Sequence, residues 1–541
     1  RNQTNAGGGD IFMSRGRHNF TMGGDVKRNH VDILSQQDPR GGFAFTGALT
    51  ASDFADFLLG VPATSQIAYG NADKNLRGFA YAGYITDDWR VGPSLTITAG
   101  VRWEYESPLS ERYDRLVNLD IGPGFKAISP VVASDPTGSL TGETLPSSLM
   151  ESDWGGLQPR LAVAWRPVPG SSVVVRAGYG IYRNTNVYQS IATMMAQQPP
   201  LSRTLSIANS LANPLTLANG FVAPEGQTLN TFAVDPDFRI GSAHNWQVSI
   251  QRDLPASLTV NATYLGTKGT GLIQEFLPNT YPPGFVDPCA TCPSGFAYLL
   301  SNGTSSRHAG QLQVRRRLRN GLTATVQYTL AKATDDAASY QGANLSGTAF
   351  AQNWLDLEAE RGPSSFDQRH LLSVQFQYTT GVGVAGGALV DGWQGSLLKG
   401  WTVSTQITAG SAMPVTPYYL TTTPGTGFTG AIRASLTGTS TDAPAGYYLN
   451  PAAYTTPTPG EWGDAGRNSA RGAPQFGMNA GITRTFAWTN RLNMDFRIDA
   501  TNVLNTVTFS SVNALVGSPQ FGLPSYANQM RRLQTSLRLR F

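Results

Sequence analysis

Residues 492–504 read LNMDFRIDATNVL and residues 531–541 read RRLQTSLRLRF. In the second stretch Leu533, Thr535, Leu537, Leu539 and Phe541 share one face, and Gln534, Ser536, Arg538 and Arg540 share the other. In the first, Leu492, Met494, Phe496, Ile498 and Ala500 oppose Asn493, Asp495, Arg497 and Asp499. Successive side chains of an extended chain point to opposite faces, so a period of two marks strands with one apolar and one polar side. The final phenylalanine puts an aromatic ring at the end of such a strand, and amphipathic rings settle at membrane–water interfaces.

The same alternation, about ten residues at a time, recurs backward through the chain. Asn320-Gly321 joins 311–318 to 322–330, and Asn-Gly is a favoured two-residue hairpin turn. Residues 253–256, 167–171 and 91–94 join further hairpins, and Asn490 sits in a tight turn before 491–504. Between the hairpins lie long segments rich in Gly, Pro, Ser, Thr and Asn: 107–156, 184–240, 269–307, 331–367 and 411–475. Unpatterned loops of that length are uncommon in compact soluble domains. Short turns at one end and long loops at the other are the habit of outer-membrane barrels. The connection 381–399 is long although it lies on the short-turn side. The expectation is an all-β, transmembrane antiparallel β-barrel of about 16 strands with long extracellular loops, occupying 1–541 as a single domain.

Composition agrees. Among 541 residues only 14% are charged, against roughly 25% in soluble domains, while Gly (59), Pro (33) and aromatics (10%) are abundant. No run of about 18 apolar residues exists, which excludes membrane-spanning helices but not spanning strands. Lys+Arg 40 against Asp+Glu 36 gives no argument for nucleic acid, and the basic run Arg315-Arg316-Arg317 reads as part of a strand. The chain opens on Arg1 with no signal peptide, so the expectation is a processed product or a fragment of something larger.

Few residues offer chemistry. Cys289 and Cys292 are too few for a four-cysteine zinc site; a local disulfide is the plain reading, with a redox pair or metal site as alternatives. Residues 381–386 satisfy G-x-G-x-x-G but lack the following helix and acidic residue of a dinucleotide site. His18, His30, His244, His308 and His370 are scattered singly. Asp87-Asp88 and Asp335-Asp336 lack the ligand-rich loop a hard cation needs and read as solvated turn residues. No nucleophile, base and orienting group can be nominated, so no enzyme and no cofactor is expected. The polar strand faces are more informative as a set: Arg315, Arg317, Asp495, Arg497, Asp499, Arg538 and Arg540 point into a lumen if Phe541 and its face-mates meet lipid.

Several segments resemble the barrel of Oar-like TonB-dependent receptors. They are YITDDWRVGPSLTITAGVRWEYESP (84–108), RHNFTMGGDVKRNH (17–30), SDFADFLLGVP (52–62), SFDQRHLLSVQFQY (365–378), LLKGWTVSTQITAGSAMPVT (397–416) and DFRIDATNVLNTVTF (495–509). They occur in the family's order over nearly the whole chain. The ending also resembles the signal that bacterial barrels present to their assembly machinery: Gln534, Leu539 and Phe541 match, while Ser536 stands where Gly is usual. The resemblance implies a Gram-negative outer-membrane protein, a barrel of typically 22 strands with roughly six upstream of Arg17, a plug domain and TonB as partners, and lipid around the wall. It also implies movement of a large solute of the carbohydrate, peptide or protein class, captured by loops 184–240, 269–307 and 411–475. A passive porin-like channel and a surface adhesion protein are the competing readings.

Overall fold

A computed structural model describes all residues except 36–37, 48, 51, 71, 210–213, 223–229, 231, 294, 320, 337–349, 382–391, 423–428 and 488–491. Among the described residues fifteen long strands form one antiparallel meander. They are β1 (Asn2–Arg15), β2 (His18–Leu34), β3 (Asp73–Gly92), β4 (Leu95–Glu106) and β5 (Leu157–Trp165). β6 (Val174–Arg183), β7 (Ser242–Leu254), β8 (Leu258–Phe276), β9 (Ala297–Arg319) and β10 (Leu322–Asp335) follow. β11 (His370–Thr379), β12 (Thr402–Gly410), β13 (Gln475–Ala487), β14 (Asn493–Thr501) and β15 (Arg532–Arg540) complete it. Each strand pairs with its neighbours in sequence, and the described pairings leave β1 and β15 as the two edges.

Register fixes the two faces. Across β7 to β11, one row of partners runs Val248, Tyr264, Gly310, Leu330 and His370, and the next runs Ile250, Ala262, Leu312, Tyr328 and Leu372. The intervening positions carry Asn261, Thr263, Gln311, Gln313, Thr325, Gln327, Ser373 and Gln375. The apolar side is open to its surroundings: Ile250 is 52%, Leu312 48% and Val326 39% exposed. A contiguous exposed apolar sheet face of this extent has no place in water and is what a lipid-facing wall requires. On β7 that face runs from His244 through Trp246, Val248 and Ile250 to Arg252; on β9 it runs from His308 through Gly310, Leu312 and Val314 to Arg316. Eight residues of tilted strand give a band about 20 Å tall, close to the hydrocarbon height a barrel spans. Among the described residues no helix is long and apolar enough to cross a membrane.

The expected asymmetry of connections is present. β1–β2 turn at Gly16 (φ 62°), and β7–β8 turn through Pro255–Ser257 with Ala256 and Ser257 both left-handed. The long β11–β12 connection carries a short helix, Gly392–Leu398; most of 381–386 and Asn490 lie outside the described residues. At the other end the structure corrects two expectations. Residues 269–276 and 297–307 are strand rather than loop, because β8 and β9 stay paired up to Phe276↔Tyr298 before the chain turns. The described parts of 107–156, 184–240 and 411–475 are folded rather than unpatterned, since they bury apolar side chains in compact clusters. A strand also precedes Arg17: the Gly-rich residues 7–9 hold β1 flat against Gly24 and Asp25 of β2.

Candidate solute pathway

The polar face is built from the strands upward. Arg315 lies opposite Thr259 and Thr325, Asp495 opposite Thr485 and Arg538, Arg497 opposite Thr483 and Ser536, and Asp499 opposite Gly481 and Gln534. Arg540 faces Asn493, so these residues share one face of the sheet. Asp495 is bridged by Arg540 at 2.8 Å, Asp499 by Arg497 at 2.6 Å, and Asp253 by Arg317 at 3.1 Å. Among the described residues Arg315 and Arg538 have no ion pair. Around them the wall is amide-rich, with Gln313 donating to Gln327 at 3.1 Å. Leu539 lies on the apolar face opposite Met494, Gln534 on the polar one, and Phe541 is fully exposed beyond β15.

A mixed-charge hollow sits at the long-loop end of β2–β5. Arg102 reaches Glu104 at 2.6 Å and Asp25 at 3.2 Å, Gln158 donates to Glu104, and Lys27 lies 3.5 Å from Asp25. On the same face the Tyr84 hydroxyl donates to Asp10 across β2, over Gly23. A side chain at Gly23 would collide with both partners. Asp87 and Asp88 lie within β3 rather than in a turn, the first bonded to His18 at 2.7 Å and the second accepting from Thr98.

Over this wall the long connections form a cap, and two apolar centres are the largest among its described residues. In the first, helix Tyr188–Met195 buries Tyr188, Ile191, Ala192 and Met195 against Leu116, Leu149, Phe232, Phe238 and Leu299. A buried Asn118 ties it together, accepting from Val234 N at 3.0 Å and donating to Val234 O at 2.9 Å. Asp153 accepts from Arg183 and from Ile240 N, fastening the cap to the top of β6. The second centre packs Ala434, Leu449, Tyr454 and Phe521 from segments 411–474 and 502–531.

Buried charges fasten that second centre to the wall. Arg433 is 5% and Glu360 1% exposed, and they meet at 2.6 Å. Arg467 donates to Glu360 O at 2.6 Å and to the carboxylate of Asp335 at the end of β10. Arg471 bridges Asp367 at 2.6 Å, and Asp367 accepts from Ala333 N of β10. Asp336 accepts from Thr304 N and from its hydroxyl. The expectation that Asp335 and Asp336 are solvated turn residues is therefore overturned: Asp335 ties the cap to the wall through Arg467, and Asp336 is bonded to Thr304 of β9. Period-two reading missed Glu360, Asp367, Arg433, Arg467 and Arg471, since nothing local marks partners 73 to 132 residues apart.

In a smaller cluster with Leu119, Ala233 and Phe296, Phe125 makes edge contacts with Phe276, Tyr298 and Trp354 at 5.7, 5.2 and 5.5 Å. Beside Phe276, Glu275 is 7% exposed, and burial pushes its carboxyl up to about 7. Cys289 and Cys292 form a disulfide in the nearby 277–296 connection. Among the described residues no group of three metal-ligating side chains converges.

Comparison with known proteins agrees with this geometry. A family model described as an outer membrane beta barrel domain matches residues 1–534. The outer membrane transporter YddB from Escherichia coli is similar over 100% of this chain and 54% of its own, at 12% identity and a TM-score of 0.53. A mutant ferric enterobactin receptor, PfeA, from Pseudomonas aeruginosa is similar over 99% of this chain and 54% of its own, at 11% identity and a TM-score of 0.49. The chain thus spans about half the length of these structures. No curated protein matches the sequence.

Proposed function

This chain belongs to the outer membrane β-barrel domain family, so it resides in the outer membrane of a Gram-negative bacterium, and on that premise we propose that it is wall and cap of a TonB-dependent transporter of the Oar-like kind. The polar face is the lumen, where Arg315, Arg317, Asp495, Arg497, Asp499, Arg538 and Arg540 contact a plug domain or the solute. The capped extracellular end receives a large solute of the carbohydrate, peptide or protein class. The barrel wall does no bond chemistry; TonB supplies the energy by displacing the plug. Gln534, Leu539 and Phe541 serve as the address read by the barrel assembly machinery.

The observation that carries the reading is the pair of open edges. Every residue of β1 and of β15 is exposed, and the described pairings do not join them. An unpaired strand edge leaves N–H and C=O groups without partners in hydrocarbon, so further strands complete the barrel. Fifteen strands in a chain that overlays 54% of a transporter fit a wall of about 22, too wide to fill with side chains and in need of a plug. The test joins two measurements on native protein from outer membranes: its intact mass, and its conductance in a planar bilayer. A mass well above 57.9 kDa with a closed bilayer is expected. A mass of 57.9 kDa with steady ion flow would leave a passive channel instead.

A further inference from the structure

Three of the five histidines pair with a tyrosine. The hydroxyls of Tyr179, Tyr264 and Tyr328 lie 2.8, 2.8 and 2.7 Å from Nδ1 of His244, His308 and His370, each pair bridging two adjacent strands on the apolar face. Lys268 lies directly opposite His244, and Lys332 directly opposite His308. Both lysines are exposed, and among the described residues neither has a salt bridge or hydrogen bond to protein. Trp246 lies over Gly266 and reaches the edge of the His308 ring at 6.0 Å.

Register places the three dyads at one height. The row through Trp246 and Gly266 arrives at His308, and the row through Tyr264, Gly310 and Leu330 arrives at His370. Each dyad is therefore two residues further down its strand for every two strands crossed. That is about 7 Å along the strand for about 10 Å across, a slope of about 35°, the tilt of strands in a membrane barrel. The short turns step in the same direction, from Trp165↔Val175 to Leu254↔Leu258 to Arg319↔Leu322. Lys268 and Lys332 obey the same step, so they too stand level, slightly nearer the long-loop end and about 12 Å apart. The belt marks the upper rim of the apolar band, where outer-leaflet headgroups lie.

We propose that this rim is a binding site for phosphate-bearing lipid headgroups of the outer leaflet, with Lys268 and Lys332 as its cationic contacts and the Tyr–His dyads as its donors. A lysine on the lipid-facing side of the wall, with no protein carboxylate paired to it, calls for an external anion. Lysine stems lie along the apolar wall and lift their ammonium groups to the headgroup level. With the tyrosine hydroxyl donating to Nδ1, the proton of a neutral imidazole sits on Nε2, a further donor for a phosphate oxygen. The site depends on the barrel fold and is independent of what the lumen carries.

The test uses native protein in a neutral detergent, offered lipid A or the same lipid with its phosphates removed, with bound lipids counted by native mass spectrometry. The parent is expected to retain the phosphorylated lipid at least about tenfold better. K268Q/K332Q is expected to fall to the dephosphorylated level, while K268R/K332R and the opposite-rim variant R252Q keep the preference. Heat-modified gel mobility confirms that each variant is folded, and the two-lipid comparison on the parent needs no variant. Equal binding of both lipids by the parent, or an undiminished preference in folded K268Q/K332Q, overturns the proposal.

Discussion

Arg433→Ala should release the second centre of the cap without unfolding the barrel. Arg433 and Glu360 are both buried and meet at 2.6 Å, and Glu360 Oε1 also accepts from Gln352 N at 2.9 Å. Removing the guanidinium leaves a carboxylate in the interior with one amide in place of a counter-charge. Breaking a buried pair from one side costs about 3–5 kcal/mol, whereas replacing both partners with apolar groups is close to neutral. The loss falls on the segment 411–474, because the fifteen-strand wall is held by its own ladder hydrogen bonds. A loss of about 3 kcal/mol raises the open fraction of the cap about a hundredfold. Amide exchange and limited proteolysis of 411–474 in lipid nanodiscs read that fraction directly, with heat-modified gel mobility reporting the barrel. R433M/E360M should recover most of the protection. Unchanged proteolysis in R433A, or a double variant as open as the single one, would refute the argument.

Glu275 gives the cap a pH dependence. Its carboxyl is raised to about 7 by burial, so the folded cap holds a proton that the unfolded chain has released above its ordinary value of 4.5. Stability is therefore full at low pH and is lost as pH rises from about 4.5 to 7, by up to a few kcal/mol. E275Q should raise the cap's thermal midpoint at pH 8 and leave it unchanged at pH 4; equal effects at both would count against burial as the cause. Asn118→Ala removes the side chain that satisfies both the N–H and the C=O of Val234, at a cost of about 2–3 kcal/mol. Faster proteolysis of 107–156 and 184–240 is expected, and equal rates would contradict it. Val326→Arg on the apolar face should destabilise the folded barrel in bilayers by about 2–4 kcal/mol, while Gln327→Arg next to it should cost little. Urea titration of the two in the same vesicles compares them, and equal midpoints would sink the face assignment.

The wall was legible in the sequence because its information is local. Leu492 to Ala500 and Leu533 to Leu539 show their faces by alternation, and a turn such as 253–256 shows itself by residue type. The cap was not legible, since its cohesion is long-range. Asn118 meets Val234 across 116 residues, and Glu360 meets Arg433 across 73. The upper halves of β8 and β9 read as loop in the sequence because GTGLIQEF and YLLSNGTSS lack clean alternation. There the register slips at 270–274, so the strand persists by pairing rather than by pattern. The dyads were missed for a related reason: each histidine is 42 to 65 residues from its tyrosine, and only the sheet register brings the three pairs level.

The central claim is that one face of the fifteen-strand sheet meets lipid and the other meets water. Nitroxide labels placed singly at residues 323–330 of β10, in protein reconstituted into bilayers, test it most directly. Collision with oxygen should peak at 324, 326, 328 and 330, and collision with a water-soluble nickel chelate at 323, 325, 327 and 329. A phase reversed between the two reagents, or no period of two at all, would contradict the account.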